Sequence, residues 1–400
     1  TRMDGMFMRA GQFNQPLNSW DVSNVTNFDG MFMNCSSFNQ DLDQWITSSM
    51  TQTNLMFQNC TAFNGNVSSW ITTNLVSMQQ MFDGASVFNG DISEWDVSNV
   101  TNMAFAFRSA SAFNADISGW VVSNVINFNS TFNGALVFNQ DLSLWEVSAA
   151  TTVVNLFNNA RAFNQPIGGW DMLGKTDLSN MFNNAVAFNQ DISGWEVNNV
   201  TAFTSMFQNA QAFNQPIGSW DMSAATTLQS MFRGASAFNQ PLAGWDVSHV
   251  TNFNATFMTA SSFNQPLSAW EMGAATDLAN CFKEASAFNQ DLGTWNTPNL
   301  TSMISLFESA SAFNGALTLL DVSGVSNFSN VFRGAASFNQ PLAQWDMSNA
   351  TNLAYMFYYA SSFNQSVDSW DVSNVTNLQG TFFNAPSFNQ PLNSWDVSNV

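Results

Sequence analysis

Hydrophobic and polar residues follow the same order every 25 residues along this chain. Cut into blocks of 25, the 400 residues give sixteen blocks without insertion or deletion. Counting Thr1 as repeat position 1, phenylalanine occupies positions 7 and 13 of every block, and every tryptophan lies at position 20. Such strict spacing predicts a solenoid, in which each block is one coil that buries its apolar face only against its neighbours.

The pattern inside a block predicts one helix and one strand per coil. Between Ser23 and Phe38 the apolar residues recur every three or four positions, as on one face of an amphipathic helix, and Ser23 is a suitable N-cap. Trp20 and Val22 alternate with polar residues, which is typical of a short strand with one buried face. A strand at 13–17 is the alternative, although position 16 is mostly Pro or Asp, which favour turns.

The predicted fold is therefore α/β: a right-handed, leucine-rich-repeat-like solenoid of sixteen 25-residue coils, each with one short parallel strand and one short helix. Residues 1–400 are predicted to form a single continuous domain without recognisable end caps. Invariant side chains are expected to stack in ladders along it, and a buried amide in such a ladder needs hydrogen-bond partners from the neighbouring coils. The predicted ladder residues include Phe7, Phe32, Trp20, Trp45, Trp70, Asn14, Asn39 and Asn64.

The first and last blocks share an identical sequence, FNQPLNSWDVSNV, at residues 13–25 and 388–400. The first and last blocks keep their aromatic residues, and neither acquires the polar face that a capping coil needs. An uncapped coil exposes apolar side chains and unpaired backbone. We therefore expect the sequence to be a slice of a longer array or a subunit that stacks head-to-tail, since non-closing contacts of that kind generate filaments.

Charge narrows the possible partners. The chain has eight basic and 28 acidic residues, a formal net charge of −20, so it repels phosphate backbones and anionic lipid. Nucleic acid is therefore not an expected partner. No run of 18 apolar residues is present, so membrane insertion of this segment is not expected either.

No catalytic constellation is visible in the sequence. His249 is the single histidine and has no nucleophile or carboxylate partner that recurs with it. Cys35 and Cys60 occupy the same position of adjacent blocks and are read as two reduced core residues, with a disulfide as the alternative. Cys281 replaces a core methionine and is unpaired in either case. The sequence therefore predicts no enzyme activity and no cofactor.

Two sets of surface residues have candidate chemistry. Position 21 is acidic in twelve blocks, and stacked carboxylates are candidate calcium ligands, the alternative being a solvated face. Asn-x-Ser/Thr acceptors recur at position 24, where they are possible glycosylation sites or simply helix caps. The calcium candidates are Asp21, Asp96, Asp171 and Asp221, and the glycosylation candidates are Asn24, Asn99, Asn199, Asn299, Asn349 and Asn374.

The stretch FNQPLNSWDVSNVTNF…MFMNCSSFNQ resembles the 25/26-residue bacterial surface protein repeat, akin to BspA-like leucine-rich repeats. The resemblance covers all 400 residues and implies a leucine-rich-repeat-like solenoid, an extracellular or cell-surface location, and a role in structure or adhesion. It brings no catalytic residues. Most members of that family carry a signal or anchor sequence and divergent end caps, which this segment lacks.

Two functions are consistent with these observations. The first is an extracellular or cell-surface structural element that associates with itself, head-to-tail or laterally. The second is an adhesin that binds a surface protein or glycan through a concave strand face. Exposed positions stay Asp, Ser, Asn and Gly over most of the length, which favours the structural element. Tyr355, Tyr358 and Tyr359 form the one cluster of extra aromatic residues, a candidate lateral contact.

Overall fold

The computed structural model describes residues 1–400 and divides them into two compact units, Thr1–Val197 and Asn198–Val400. Within each unit the backbone follows the same path in every 25-residue block. The repeat solenoid predicted from the sequence is therefore present in each unit. The single continuous domain over 1–400, the right-handedness and the count of sixteen coils stay predictions.

The predicted helix and strand are both wrong, because the coils contain neither. In the coil 26–50, turns cover 29–34, 36–37, 43–44 and 48–49. In the preceding coil, no strand pairing is present at Trp20–Val22 or at 13–17, the two segments considered for the strand. The only strand-like pairing consists of isolated parallel bridges at repeat position 2, inside the segment predicted as helix. These bridges join Arg2, Asn27, Gln52, Ser77, Asn102, Asn127 and Thr152 in the first unit, and Ala202, Thr227, Asn252, Asp277 and Ser302, then Asn327, Asn352 and Asn377, in the second.

The backbone forms successive turns instead of a helix, because its N–H groups donate alternately within their own coil and to the next coil. Met31 N–H donates within its own coil to Phe28 O at 3.1 Å, whereas Phe32 N–H donates to Met56 O of the next coil at 2.9 Å. Gly30 and Asn34 have φ of 60° and 63°, values that a right-handed helix excludes. Glycine and asparagine are the residues that adopt this region most readily, and they or serine fill these two positions in most coils.

The core residues are spaced by three or, less often, four positions, and this spacing continues around most of the coil. The side chains of residues 22, 25, 28, 31, 35 and 38 point inward and are at most 4% exposed. Over the short stretch 25–35 this spacing resembles the i, i+3, i+7 pattern of a helix, which is why the helix was predicted. The spacing continues through Ser23, the predicted N-cap, and past Phe38. This continuation favours a coil built from turns.

Aromatic rings form columns along each unit. Phe32 stacks on Phe57 of the next coil with ring centroids 5.5 Å apart, and on Phe38 of its own coil at 4.1 Å. Trp45 and Trp70 stack at 6.1 Å with planes 2° apart. Because these rings are buried against the same rings of the adjacent coils, each coil forms part of the core of its neighbours.

Each buried indole also has a polar anchor. Trp45 Nε1–H donates to Leu17 O of the preceding coil at 2.9 Å, and Trp245 Nε1–H donates to Ile217 O at 2.9 Å. Thirteen of the fifteen tryptophans are at most 4% exposed, and only Trp20 and Trp395 are half-buried. The tryptophan column is therefore held by both ring contact and a recurring inter-coil hydrogen bond.

Leu320 interrupts the tryptophan column in the second unit. It is 4% exposed, so it stays within the column, but it has no indole donor. The next indole, Trp345, has a buried Nε1–H without a partner. The recurring indole hydrogen bond is thus missing both from the coil of Leu320 and from the coil of Trp345 that follows it.

We expect Leu320→Trp to raise the free energy of unfolding by about 0.5–2 kcal/mol, the usual range for restoring a repeat consensus. The new ring would fill the position that tryptophan occupies in the other coils, and its N–H would face the carbonyl of Leu292. Urea unfolding followed by tryptophan fluorescence measures the change. A lower midpoint than that of the unmodified chain would mean that this coil is too tight for an indole.

The asparagines at repeat position 14 form a column in which each side chain accepts a backbone hydrogen bond from the next coil. Asn14 Oδ1 accepts the N–H of Asn39 at 2.9 Å, and Asn39 Oδ1 accepts the N–H of Asn64 at 2.8 Å. Gln40 Nε2 also donates to Asn14 Oδ1 at 2.9 Å. The side chain of each asparagine therefore supplies an acceptor for the backbone of the next coil. The predicted ladder is present, but Asn14, Asn39 and Asn64 are exposed, so their amides are not the buried groups that the sequence predicted.

Lys175 is a charged residue at a core position. Repeat position 25 holds Val, Ala, Leu or Met in the other blocks, yet Lys175 is only 1% exposed and its Nζ donates to Ser148 O at 3.2 Å. Burial lowers the pKa of Lys175 below its ordinary value of 10.5, and the nearby Asp171 opposes that shift. The folded state therefore releases this proton more readily than the unfolded state.

We expect Lys175→Met to raise the free energy of unfolding by about 0.5–2 kcal/mol at pH 7. Because the folded pKa is the lower one, stability of the unmodified chain should rise as pH increases from the folded pKa towards 10.5. The methionine variant should lack this rise. Urea midpoints at pH 7 and pH 10 test both statements, with the exposed Arg161→Met as control; an equal rise in both variants would contradict the assignment to Lys175.

Candidate functional site

The acidic side chains at repeat position 21 close local turns. Asp21 Oδ1 accepts the N–H of Ser23 at 3.0 Å and its hydroxyl at 2.6 Å, and Asp96 and Asp221 bond the serine two residues later in the same way. The serine hydroxyl, with its backbone N–H, lowers the pKa of all three carboxyl groups. Asp171 Oδ1 accepts the N–H of Leu173 at 2.8 Å.

These geometries give the four calcium candidates a structural role in the turn. No group of three or more His, Cys, Asp or Glu side chains is placed to hold a metal ion. Calcium binding therefore stays a prediction for which the structure supplies no coordinating cluster.

Shallow hollows lie between successive coils beside these carboxylates. One, of about 240 Å³, is lined by Trp20, Asp21 and Ile46 among others, and another, of about 380 Å³, lies between Glu146 and Asp171. Their recurrence follows from the repeat, because the same turn borders the next coil each time. They hold no pair of groups in the geometry of a nucleophile and its base.

The first unit exposes aliphatic side chains where most coils have a carboxylate. Ile46, Ile71 and Val121 occupy position 21 and are 59%, 48% and 57% exposed, and Leu144 at position 19 is 81% exposed. The sequence shows these substitutions only when the blocks are aligned at the 25-residue period. They break the uniform acidic surface over part of the first unit.

The glycosylation candidates are all exposed. Four of them use the amide in the coil stack: Asn99, Asn299, Asn349 and Asn374 donate Nδ2–H to a carbonyl of the preceding coil at 2.7–2.8 Å. A glycan on Nδ2 would compete with that bond. Asn199 Nδ2 donates to Asn198 Oδ1 at 3.3 Å, and Asn24 is the candidate in the first block.

The cysteines are buried free thiols. Cys35 and Cys60 donate to the carbonyls of Phe7 and Phe32, each at 2.9 Å. Burial raises the pKa of both thiols and of Cys281, which opposes thiolate chemistry. His249 is exposed, with Nδ1 3.3 Å from Ser248 Oγ.

Charged groups of opposite sign meet across coils at repeat position 8. In the first unit Arg108 binds Asp83 through Nε at 2.8 Å and Nη2 at 2.6 Å, and Gln58 Nε2 donates to the same carboxylate at 2.8 Å. In the second unit Lys283 Nζ lies 2.9 Å from Glu308, and Arg333 lies 3.7 Å from it. Sequence analysis missed these pairs, although their spacing of 25 residues is the signal.

A tyrosine cluster continues the second of these charged groups. We use this name for Tyr355, Tyr358 and Tyr359, the only tyrosines in the chain. Tyr358 lies between the Arg333 guanidinium, 5.2 Å from its ring, and Phe383, whose ring stacks on it at 4.8 Å. Tyr359 is inclined by 60° to Tyr358 and is 47% exposed.

Two residues of the tyrosine cluster are in a strained conformation. Tyr355 and Tyr359 have φ of 58° and 57°, at positions where Gly, Asn or Ser are usual. For a bulky side chain this region costs about 1–3 kcal/mol, but positive φ recurs at these two repeat positions along the chain, at Leu55 and Phe105 among others, so it is a property of the repeat. The ring contacts are what distinguish the tyrosine cluster from the other coils.

The chain resembles a known family and known structures through its repeat. The family described as "Mycoplasma protein of unknown function, DUF285" matches residues 1–93, 65–170, 153–257, 214–320 and 315–400. The overlapping matches span the chain and confirm the repeat-family resemblance seen in the sequence.

Two solved structures are distantly similar. A leucine-rich cell surface protein from Faecalibacterium prausnitzii is 11% identical, with 90% of this chain and 81% of that chain covered and a TM-score of 0.37. A leucine-rich repeat protein from Bacteroides ovatus is 11% identical, with 86% and 87% covered and a TM-score of 0.41. No curated protein matches the sequence. The structure contains no helix with the length and apolarity needed to cross a bilayer.

Proposed function

This chain belongs to the DUF285 family, and we propose from that premise that it is a non-enzymatic structural repeat protein of the cell surface or extracellular space. In this proposal it is part of a longer array or of a head-to-tail filament. The observation that carries the proposal is the dependence of every coil on its neighbours, through ring columns, the asparagine column and the indole hydrogen bonds.

The last coil shows what this dependence implies. An apolar hollow of about 570 Å³ opens there, lined by Leu378, Phe382, Leu392 and Trp395 among others. A further coil of the same kind would place its own phenylalanine and tryptophan over this surface. In this proposal such a coil belongs to the longer array or to the next molecule of the filament.

The test measures the mass of residues 1–400 against concentration by light scattering, together with electron microscopy of the native material. The filament proposal expects elongated, concentration-dependent polymers. The double variant Leu392→Lys/Trp395→Lys should remain monomeric, because two charges would then occupy the apolar end. A soluble monomer at high concentration, with no elongated particles in the native material, would contradict the structural role.

A second function, a surface adhesin, is favoured by the tyrosine cluster. The predicted concave strand face is not available for this role, because the coils have no strands. Protease treatment of intact cells tests the surface location that both functions require. Loss of the protein from intact cells is expected, and protection until the cells are lysed would contradict it.

A further inference from the structure

We propose that the tyrosine cluster, with Arg333, is a binding site for a neutral glycan. A hexose ring packs on Tyr359, and the Arg333 guanidinium donates hydrogen bonds to the hydroxyl groups of the sugar. The proposal rests on the surface location in the proposed function and assigns a ligand class to its adhesin alternative.

The aromatic part of the site is fixed before any ligand arrives. Arg333 and Phe383 hold Tyr358 on its two faces, with ring distances of 5.2 Å and 4.8 Å. Tyr355 lies edge-on to Tyr358 at 5.5 Å, over Gly380, where a β-carbon would come within 2.9 Å of its ring. Tyr359 and Phe383, 47% and 55% exposed with ring centroids 5.9 Å apart, are thus the exposed rings of the site, and Tyr359 is held on a rigid support, which lowers the entropy lost on binding.

The polar part of the site is an arginine whose hydrogen bonds are poorly satisfied. The nearest acceptors of Arg333 are Asn330 Oδ1 at 3.5 Å and Glu308 at 3.7 Å, and its side chain is 45% exposed. Arg108 at the equivalent repeat position instead makes bonds of 2.6 and 2.8 Å to Asp83. The N–H groups of Arg333 are therefore available to a ligand, whereas those of Arg108 are bound to a carboxylate.

The chemistry of this pair of features fits a sugar. Axial C–H groups make one face of an equatorially substituted hexose apolar, and that face packs on the negative face of an aromatic ring. Its hydroxyl groups accept hydrogen bonds from a guanidinium. Ligand sites commonly combine aromatic walls with a few placed polar groups in this way.

The charges around the site favour a neutral sugar over an anionic one. Glu308 already faces the Arg333 guanidinium, and the chain has a net charge of −20, so a carboxylated or sulfated polymer would be repelled. A protein partner fits less well, because a stable interface buries about 800 Å² per partner around an apolar core. The exposed apolar surface at the cluster consists of the Tyr359 and Phe383 rings, and the chain next to it presents the exposed polar residues Ser361 and Ser362.

The test uses residues 1–400 in native gels that contain a soluble neutral β-glucan, with dextran sulfate gels and a proline-rich peptide titration as the other arms. Retarded migration in the β-glucan gel is expected for the unmodified chain. Tyr359→Asn should weaken binding about tenfold or more. Its melting temperature should stay the same or rise, because asparagine adopts positive φ more readily than tyrosine.

Two controls separate binding from folding. Tyr359→Phe keeps the ring and should bind nearly as well as the unmodified chain. Phe105→Ser removes an aromatic residue that also has an arginine over its ring, at 4.7 Å, but in a coil without tyrosine, and it should leave binding unchanged.

Three results would overturn the proposal: no retardation by the β-glucan, equal retardation of the Tyr359→Asn variant, or binding confined to dextran sulfate or to the peptide. Light scattering on the same samples reports self-association separately. A failure of glycan binding is thereby distinguished from a failure of the structural role.

Discussion

Replacing Trp245 by alanine is expected to lower the free energy of unfolding by about 3–5 kcal/mol, the range for removing a large buried aromatic side chain. Trp245 is 2% exposed, stacks on Trp270 at 6.3 Å, and donates to Ile217 O at 2.9 Å. The substitution removes the ring contacts and the hydrogen bond together. Because each coil packs only on its neighbours, the cavity also removes packing from the adjacent coils.

Two variants calibrate this loss. Trp245→Leu should cost less than alanine, because Leu320 already occupies the same column at 4% exposure. Trp395→Ala should also cost less, since Trp395 is half-buried. Urea unfolding measured by circular dichroism avoids the change in tryptophan fluorescence. Equal midpoints for the three variants would show that the column does not carry the stability of the coil stack.

Periodicity predicts which residues are buried much better than it predicts the backbone that buries them. The repeat and the inward residues Val25, Phe28 and Cys35 follow from the spacing of apolar side chains. The backbone between them does not, because a three-residue turn spacing and a helical stripe coincide over ten residues. Gly30 and Asn34 were the local evidence against a helix, since residues that favour positive φ recur at these positions.

The candidate site was less accessible from the sequence because it depends on contacts between coils. Arg333 and Tyr358 are one repeat apart and occupy the same repeat position, so an alignment of blocks places them side by side. The distance of Arg333 from Glu308, the inclination of Tyr359 to Tyr358 and the positive φ of Tyr359 require coordinates. The asparagine column shows the same limit: periodicity marks the residue, but only the structure shows that Oδ1 accepts a backbone N–H.

Removing the carboxylate of Asp83 is the second large effect that we expect, with Asp83→Ala lowering the free energy of unfolding by about 1–3 kcal/mol, the cost of leaving a buried polar group without its partner. The Asp83 side chain is 5% exposed and accepts from Arg108 and from Gln58 Nε2. Alanine would leave Gln58, whose Oε1 already has no partner, with no hydrogen bond at either end of its buried amide.

The matched control is Glu308→Ala in the second unit, which should cost about 1 kcal/mol or less. Glu308 lies 2.9 Å from Lys283 Nζ and 3.7 Å from Arg333 Nη1, but its own side chain is 13% exposed and the two cations are 23% and 45% exposed, so water can replace these contacts. A double-mutant cycle with Asp83→Ala and Arg108→Ala isolates the pair from its neighbours. Arg108→Ala leaves the Asp83 carboxylate, which is 5% exposed, without its cation, whereas Asp83→Ala leaves an arginine that is 37% exposed and can turn to water. The single Arg108 variant should therefore cost at least as much as the Asp83 variant. Equal losses for Asp83→Ala and Glu308→Ala would mean that burial of the carboxylate does not set its contribution, and that the first unit tolerates an unpaired amide inside its coil stack.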